Sequence, residues 1–374
     1  MRFINNKEVE QVLTMADTLR VIEEGHRELG RGELVGRPRI DIVTETKSKD
    51  RFHQWGTMEG SSKSLKRIAI RMKSDMVSWP LRHGSRVEEK FCFQPGLFCG
   101  LVFLFSTENG EPLAVINDGM LQHFRVGAYF GLGAKYLARE DAAVVGMIGS
   151  GGMARSHLRA FAAVRPIKKV KVYSPNREHR ESYAREMERE LHLEAVPCAS
   201  PEEAARRVDI LSSCTDSQEP TISARMLEPG MHLSQVASEF AADVYPKIDV
   251  CMVGGPMSQV VMGVGVDDSQ GFTTYLAGNV DTYRNAKGPK VSRTAMTRAL
   301  DGKLVSLVDL VTGKEQGRES GQEISSSSGA KVKGEDTVKG LQFVTVSSLV
   351  YDLAVKAGLG REVPREWFLQ DIRD

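Results

Sequence analysis

The feature that most constrains the fold is a glycine-rich turn, Gly149-Ser-Gly-Gly-Met-Ala154, between an apolar run at 142–148 and a helical pattern that reaches Val164. In such a strand–turn–helix the first glycine permits a tight turn, and the second lets the backbone approach a pyrophosphate. The alanine permits close helix–strand packing, and free N–H groups at the helix start bind phosphate. We therefore predict a phosphate-binding turn made by Gly149, Ser150, Gly151, Gly152, Met153 and Ala154.

The segments that follow this turn alternate between strand and helix patterns. The next strand begins about 20 residues later, at the spacing of a dinucleotide-binding fold. The predicted elements are strand 169–173, helix 177–191, strand 195–197, helix 201–207 and strand 209–213. Short connections between such elements favour parallel βαβ units. The turn alone also fits a small-residue connection that binds nothing, but the alternation favours a Rossmann domain and hence an α/β fold.

The end of the second strand bears on the choice of dinucleotide. It reads Tyr173-Ser-Pro-Asn-Arg177, without the carboxylate that NAD enzymes usually place there for the ribose hydroxyls. Ser174, Asn176 and Arg177 are suited to hold a 2′-phosphate, so we predict NADP(H) as the favoured cofactor, with NAD(H) as the alternative. Arg177 also fits the start of a solvated helix.

The first part of the chain has the pattern of an antiparallel sheet with a leading helix. Helical spacing covers 8–31, and strand patterns cover 38–45, 67–73, 100–106 and 113–117. Asn109-Gly110 lies between the last two runs, which is a strong hairpin signal. A further helix is predicted over 120–138.

The last part of the chain changes character. Residues 313–340 are polar and rich in Gly, Ser and Lys, including Ser325-Ser-Ser-Ser-Gly329. This composition predicts a long loop, and 325–340 fits either a lid or a plain loop. An apolar stretch at 341–357 has helical spacing.

Composition limits the partners and the compartment. Fifty Lys and Arg against 49 Asp and Glu give a net charge of +1, which predicts neither nucleic acid nor a membrane surface as a partner. The N-terminus lacks the apolar run of a signal peptide, and no stretch has ~18 uncharged apolar residues. Five cysteines without a C-x-x-C pair, and histidines without metal-ligand spacing, predict free thiols and no metal. We therefore expect a cytoplasmic protein.

Several segments together resemble a known family. Asp118-Gly-Met-Leu-Gln-His-Phe-Arg125-Val-Gly-Ala128, then Leu137-Ala-Arg139, then the glycine turn, are similar to the ornithine cyclodeaminase/mu-crystallin family. Other matching segments follow the family's order: Pro38-Arg39, Met58-Glu-Gly60, Lys73 at a strand end, Asp209–Thr215, Pro229-Gly-Met-His232, Gly317-Arg318 and Phe343–Asp352. The resemblance covers most of the chain, and the combination is more specific than any one motif.

This resemblance implies a homodimeric enzyme of two domains. Residues 126–315 would form the Rossmann domain, and residues 1–125 with 316–374 would form a discontinuous α+β domain for substrate binding and dimerisation. The family includes cyclodeaminases, reductases of ketimines and cyclic imines, alanine dehydrogenase-like enzymes and opine-type synthases. Mu-crystallin also binds NADPH and hormone.

The resemblance also assigns roles to individual residues. Arg125 would bind a substrate carboxylate through two parallel hydrogen bonds, with Arg39 as the second candidate. Lys73 matches the family's active-site lysine and would hydrogen-bond the carboxylate or polarise the carbonyl or imine. Met58 would line the substrate pocket, and Thr215 would contact the cofactor. Taken alone, Arg125 also fits a surface arginine, and Lys73 fits ordinary charge at a strand end.

One departure from the family pattern bears on the reaction. The family's catalytic aspartate, in a Gly-Ala-Asp segment, is replaced by Glu239 in Val236-Ala-Ser-Glu239, with Asp243 as the alternative acid. A longer carboxylate can still manage a proton. In cyclodeamination the carboxylate must reach an amino group to promote ring closure, whereas in imine reduction it need only keep the imine protonated. The replacement therefore weighs against cyclodeaminase activity more than against reductase activity.

We therefore predict a reductase of an α-imino acid or cyclic ketimine. An ornithine cyclodeaminase that uses bound NAD+ and a non-catalytic binder of NADPH and a small ligand are the alternatives.

Overall fold

The computed structural model describes residues 1–37, 39–82, 84–237, 239–255, 273–277, 279–287, 296, 298–328 and 337–372. The first half supplies β1 Arg2–Ile4, β2 Leu34–Gly36, β3 Ile40–Glu45, β4 Arg51–Ser62, β5 Arg67–Ser78, β6 Leu81–Arg82, β7 Ser85–Arg86, β8 Glu89–Phe91, β9 Cys99–Ser106 and β10 Pro112–Asn117. The second half supplies β11 Val144–Ile148, β12 Lys169–Tyr173, β13 Glu194–Pro197, β14 Ile210–Ser213, β15 His232–Gln235, β16 Val250–Val253, β17 Thr273–Ala277, β18 Leu304–Ser306, β19 Ser325–Ser328 and β20 Arg361–Glu362.

Three of the described α-helices lie in the first part of the chain, and the others follow β11. They are α1 Asn6–Val12, α2 Met15–Gly30, α3 Gly119–Leu137, α4 Gly152–Val164, α5 Arg177–Leu191, α6 Pro201–Ala205, α7 Val280–Lys287, α8 Leu307–Thr312 and α9 Thr337–Lys356. The leading helical stretch is therefore two helices, because Thr14 caps α2 by accepting a hydrogen bond from the Asp17 N–H at 3.1 Å.

The first sheet has mixed pairing and is mostly antiparallel. Its strands run in the order β17-β3-β4-β5-β9-β10-β1-β20, with β2 on β4 and β8 on β5. The predicted hairpin is confirmed, since β9 and β10 are antiparallel and Gly110 turns with a φ of +77°. The long strand β4 had no sequence prediction.

The second sheet is parallel throughout its described pairs, in the order β13-β12-β11-β14-β15-β19-β16-β18. Its glycine turn connects the central strand β11 to α4. This is the predicted Rossmann arrangement, and it places the turn at the carboxyl edge of the sheet.

The prediction of a loop over 313–340 was wrong in two places: a strand forms at Ser325–Ser328, and α9 begins at Thr337, before the predicted end of the loop. Ser325–Ser328 is β19, which lies between β15 and β16, and Ser325 to Ser327 are fully buried. His232 satisfies two of their hydroxyls, at 2.9 Å from Ser325 Oγ and 3.1 Å from Ser327 Oγ. Serine is small enough for α3 to pack here, since a Cβ on Gly133 would lie 2.4 Å from Ser327 Cβ. Residues 329–336 lie outside the described residues, and α9 follows.

Sheet membership also differs from the predicted domain boundaries. β19 belongs to the second sheet although it follows residue 315, and β17 pairs with β3 of the first sheet although it precedes residue 316. The helix α3 crosses the boundary predicted at residue 125. The division into two domains stays a prediction.

The C-terminal helix α9 packs along the first sheet. A Cβ on Gly340 would lie 1.7 Å from the Glu59 carbonyl oxygen, so the helix backbone directly touches β4. Over Val338–Lys356 it has the length and hydropathy of a membrane-spanning helix, and 67% of that stretch is buried inside the fold.

Candidate active site

The strand β5 carries a row of buried charged side chains. Arg71, Lys73 and Asp75 alternate with less buried residues and therefore point to the same face of the sheet. Lys73 Nζ donates to Asp75 Oδ2 at 2.7 Å and to Gln54 Oε1 at 3.0 Å. Burial lowers the pKa of Lys73 to about 7, with the nearby positive charge of Arg39 as the next cause. Lys73 can therefore gain or lose a proton near neutral pH, and its role as a catalytic lysine stays a prediction.

Glycines stand on both sides of Lys73. Gly56 on β4 and Gly100 on β9 are its cross-strand partners. A Cβ on Gly56 would lie 2.3 Å from Asp41 Oδ1, and one on Gly100 would lie 1.9 Å from Asp118 Oδ1. The two glycines therefore leave the space that these carboxylates occupy beside the lysine.

Arg125 lies near the start of α3 and is 7% exposed. Its Nη1 donates to Gln342 Oε1 at 2.9 Å, and its Nε and Nη2 donate to Gln122 Oε1 at 3.1 and 2.8 Å. Its guanidinium lies over the ring of Phe343, 4.8 Å from the centroid. Burial lowers the pKa of Arg125 to about 9, and Arg71 is the next cause.

The other cations of this cluster have carboxylate partners. Arg39 Nε lies 2.8 Å from Asp41 Oδ1, Arg71 Nε lies 2.6 Å from Asp118 Oδ2, and Lys73 pairs with Asp75. Arg125 has only neutral amide partners among the described residues. The cluster therefore holds one positive charge in excess of its carboxylates, as a site for one organic acid would require.

Met58 belongs to the same face of the sheet. It is 2% exposed on β4 and stands directly across from Arg71. It supplies apolar surface next to the charged row. The predicted substrate residues Arg39, Met58 and Arg125 and the predicted catalytic residue Lys73 are thus brought together around one face of the first sheet.

The glycine turn has the geometry of a phosphate site. Gly149 has a φ of +108°, and a Cβ there would lie 2.2 Å from the Cys214 carbonyl oxygen. A Cβ on Gly151 would meet nothing within 4 Å, so space is open above the turn. Gly151 caps α4 without a side-chain hydrogen bond, which leaves the first N–H groups for a ligand. The turn therefore fits a dinucleotide pyrophosphate.

The remaining turn residues fix α4 in place. The Ser150 carbonyl oxygen accepts a hydrogen bond from Arg155. The Met153 carbonyl oxygen lies 2.7 Å from His157 Nδ1. Ala154 is fully buried, as the predicted close helix packing requires. Gly152 lies against His123 of α3, where a Cβ would be 2.7 Å from His123 Cε1.

The end of β12 is less simple than its sequence indicates. Ser174 is buried and donates to the Asn176 carbonyl oxygen at 3.1 Å, while Asn176 caps α5 through the His179 N–H. Arg177 is exposed and pairs with Glu181 at 2.6 Å. Arg180, which was not among the predicted site residues, donates to the Ser174 carbonyl oxygen at 2.9 Å.

Glu239 lies fully buried near the carboxyl ends of β14 and β15. It accepts hydrogen bonds from the Ala237 N–H at 2.7 Å and, more weakly, the Thr215 N–H at 3.5 Å. Burial raises the pKa of Glu239 to about 7, although these N–H groups oppose the shift. The Thr215 hydroxyl is buried without a partner in the described part of the chain. Asp243 is exposed and accepts from the Ala224 N–H at 3.2 Å, which leaves Glu239 as the buried acid.

The loop after Thr215 joins the two sheets. Val87 forms an antiparallel bridge with Ser217, and the Glu88 and Gln218 N–H groups donate across it at 2.9 and 2.7 Å. The strand region after β5 is therefore tied to the loop that follows β14.

The family assignment follows from residues 97–342, which match the family described as ornithine cyclodeaminase/mu-crystallin. This stretch is about two thirds of the 374 residues. The chain belongs to the ornithine cyclodeaminase/mu-crystallin family.

Three comparisons give this family member its context. It is 34% identical over 139 residues to a Delta(1)-pyrroline-2-carboxylate reductase of Bacillus cereus, a match that spans 37% of this chain and 42% of the relative. The reductase of that name from Thermococcus litoralis, solved with NADH and L-proline, superposes with a TM-score of 0.73 at 20% identity, over 97% of this chain and 100% of its own. An archaeal alanine dehydrogenase dimer with bound NAD superposes with a TM-score of 0.72 at 21% identity, over 97% of this chain and 99% of its own. These two structural likenesses show a shared fold.

Several residues of the candidate site in this family member carry little signal in the sequence. Arg71 and Asp75 flank Lys73 at a spacing of two, and this alternation of charge in a strand was their available signal. Asp41, Gln54 and Gln342 come from other elements, and no local pattern marks them. Asp118 stood in the family motif, but its pairing with Arg71 depends on the sheet register.

Proposed function

We propose that this chain is an NAD(P)H-dependent reductase of an α-imino acid or cyclic ketimine. The observation that carries the proposal is Arg125, a buried guanidinium with neutral partners in a cluster whose other cations pair with carboxylates. A substrate carboxylate supplies the missing negative charge. The names of the reductase relatives support an imino acid as the substrate that carries this carboxylate.

Each side chain of the cluster has a separate task in this proposal. Arg125 binds the carboxylate through two parallel hydrogen bonds, which fixes the plane of the substrate. Arg39 adds positive charge near Lys73 and Arg125, and Lys73 Nζ donates to the carboxylate or to the imine. Met58 and Phe343 shield the site from water on its apolar side. NAD(P)H, when bound, supplies hydride to the C=N carbon.

Glu239 holds the proton that the reaction needs. Its raised pKa of about 7 keeps the carboxyl group partly protonated at neutral pH. It can therefore keep the imine nitrogen protonated, which makes the C=N carbon a better hydride acceptor. The bridge between Val87 and Ser217 holds the loop beside Glu239 against the substrate sheet.

NADP(H) is the cofactor that we propose as preferred. The end of β12 offers no carboxylate to ribose hydroxyls, since its candidate residues are Ser174, Asn176 and Arg177. A 2′-phosphate can compete with Glu181 for Arg177, because the exposed ion pair between Arg177 and Glu181 is weak. NAD(H) remains the alternative, in line with the NAD and NADH in the structures of the relatives.

We also propose a cytoplasmic homodimer that binds neither nucleic acid nor membrane. Support for the dimer comes from the outer face of the first sheet, where apolar residues are only half-buried: Ile70, Met72, Leu101, Phe103 and Phe105. Ile70 and Phe103, and Met72 and Leu101, are cross-strand pairs on that face. A second subunit would remove this surface from water.

The test is an assay of the purified protein for oxidation of NADPH and NADH. Substrates are pyrroline-2-carboxylate, piperideine-2-carboxylate and pyruvate with added amines. We expect turnover of at least one, with a higher kcat/KM for NADPH. Ammonia and proline from ornithine without added cofactor would show a cyclodeaminase instead. Cofactor binding with no turnover across the panel would show a binding protein.

A further inference from the structure

Two cysteines lie at the ends of the connection between β8 and β9. Both strands pair with β5. Because β4 pairs with β5 along its whole length on one edge, β8 and β9 must both lie on the opposite edge of β5. Phe91 stands opposite Met76, and Cys99 stands opposite Ser74. Two strand positions span about 7 Å. Cys92 follows Phe91 towards Cys99, so the register places the two cysteines close together on this edge.

The connection turns back tightly between the two cysteines. The Cys92 N–H donates to the Leu97 carbonyl oxygen at 2.7 Å, and the Leu97 N–H donates to that of Gln94 at 3.1 Å. Phe93 and Gly96 take positive φ angles of 67° and 88°. A disulfide needs Cα atoms roughly 4.4–6.8 Å apart, and so tight a return of the chain is compatible with that spacing.

The two thiols are also neighbours. Burial raises the pKa of the Cys99 thiol, and the nearby Cys92 thiol raises it further. Both cysteines are partly exposed, whereas Cys198, Cys214 and Cys251 are buried. An oxidant in solution therefore reaches this pair first.

The pair adjoins the candidate active site. Gly100 follows Cys99 and is the cross-strand partner of Lys73. Its Cα lies against the carboxylate of Asp118, where no Cβ fits. A shift of Cys99 is therefore transmitted to the contact between Gly100 and the Arg71–Asp118 ion pair.

We propose that Cys92 and Cys99 form a reversible disulfide in the presence of a peroxide, and that closing this loop lowers substrate turnover. One thiol loses its proton, and the thiolate attacks the peroxide O–O bond and becomes a sulfenic acid; the hydroxide that leaves takes up that proton as water. The second thiol also loses its proton, and its thiolate attacks the sulfenic sulfur; the S–S bond forms, the S–O bond breaks, and the hydroxide leaves as a second water with this proton. Two thiols and one hydrogen peroxide thus give one disulfide and two waters.

The test maps the bond on the full-length protein after treatment with hydrogen peroxide and alkylation of the remaining thiols. Chymotrypsin cleaves after Phe93, Leu97 and Phe98, between the two cysteines. We expect the flanking fragments to stay joined until dithiothreitol is added. Fragments that separate without reductant, or a bond from either cysteine to a third, would overturn the pairing.

The effect on turnover is measured in parallel and rests on the proposed reductase function. We expect hydrogen peroxide to lower kcat/KM of the wild type and dithiothreitol to restore it, while Cys92→Ser keeps its activity under the same treatment. A mapped disulfide with unchanged kcat/KM would refute the regulatory role. Because the mapping needs no activity, it remains decisive if the proposed function itself fails.

Discussion

Arg125 differs from its neighbours in how its charge is compensated. Arg71 is held by the buried carboxylate of Asp118, whereas the described partners of Arg125 are glutamine side chains and the face of Phe343. An uncompensated buried charge destabilises a fold, and a ligand that neutralises it gains the corresponding binding energy. The same residue therefore weakens the empty protein and strengthens the complex.

A pair of arginine substitutions tests this difference. We expect Arg125→Met to lower kcat/KM about tenfold or more, since a charge-assisted hydrogen bond contributes about 1.5–3 kcal/mol. Arg71→Met should instead lower the free energy of unfolding by about 3–5 kcal/mol, because it leaves Asp118 buried without a partner. Urea unfolding of both variants measures the contrast. A larger stability loss in Arg125→Met than in Arg71→Met would contradict the charge assignment.

The pH dependence follows from two groups with a pKa of about 7. Glu239 is shifted upward and Lys73 downward, and both lose a proton as the pH rises through about 7. We expect kcat/KM for imine reduction to fall over that range, because the reaction uses the protonated form of each. Glu239→Gln should make the fall shallower and leave the contribution of Lys73. Asp243→Asn, at an exposed carboxyl, is the matched control and should keep the wild-type profile.

At the scale of elements, α3 connects the two halves of the site. It carries Arg125 in its first turns and packs farther along against α4, which begins at the glycine turn. A Cβ on Gly127 would lie 2.6 Å from the Ser156 carbonyl oxygen, and one on Gly131 would lie 2.8 Å from Ala160 Cβ. These glycines set the distance between the charged cluster around Arg125 and the glycine turn.

The close contact between these helices predicts an effect on cofactor binding. We expect Gly127→Ala to push α4 away, to destabilise the protein by about 1–3 kcal/mol and to weaken NADPH binding. Gly321→Ala is the control, because a Cβ there meets nothing within 4 Å. Fluorescence titration with NADPH and thermal unfolding give the two readouts. Unchanged NADPH affinity in a destabilised Gly127→Ala would show that α3 does not set the position of the turn.

Periodicity located elements well where packing and pattern agree. β11, β12, α4 and α5 match their predicted ranges closely, since apolar residues recur at the spacing of each element. β19 could not be predicted in this way, because serine is polar and its burial depends on His232, which is far away in the sequence. The site follows the same rule: Lys73 and Arg125 stood in motifs, whereas Gln342 reaches Arg125 only through the packing of α9.

At the scale of the whole molecule, the proposed dimer makes a prediction about mass. The wild type should sediment at twice the chain mass of 41.3 kDa. Phe103→Glu should give a folded monomer, because it places a charge on the half-buried outer face of the first sheet. Leu81→Glu, which replaces an exposed apolar residue outside that face, should stay dimeric. A folded, dimeric Phe103→Glu would place the interface elsewhere.

The interior position of β19 has a consequence for synthesis of the chain. Its neighbours β15 and β16 are complete by residue 253, but the strand between them is translated about seventy residues later, after β18. Until then the nascent sheet has a gap between β15 and β16, and these two strands are open edges that can pair with other chains. Such long-range pairing also raises the contact order and slows folding. The ribosome must therefore release most of the protein before the cofactor-binding half can close, which makes this interval the period of greatest exposure to aggregation.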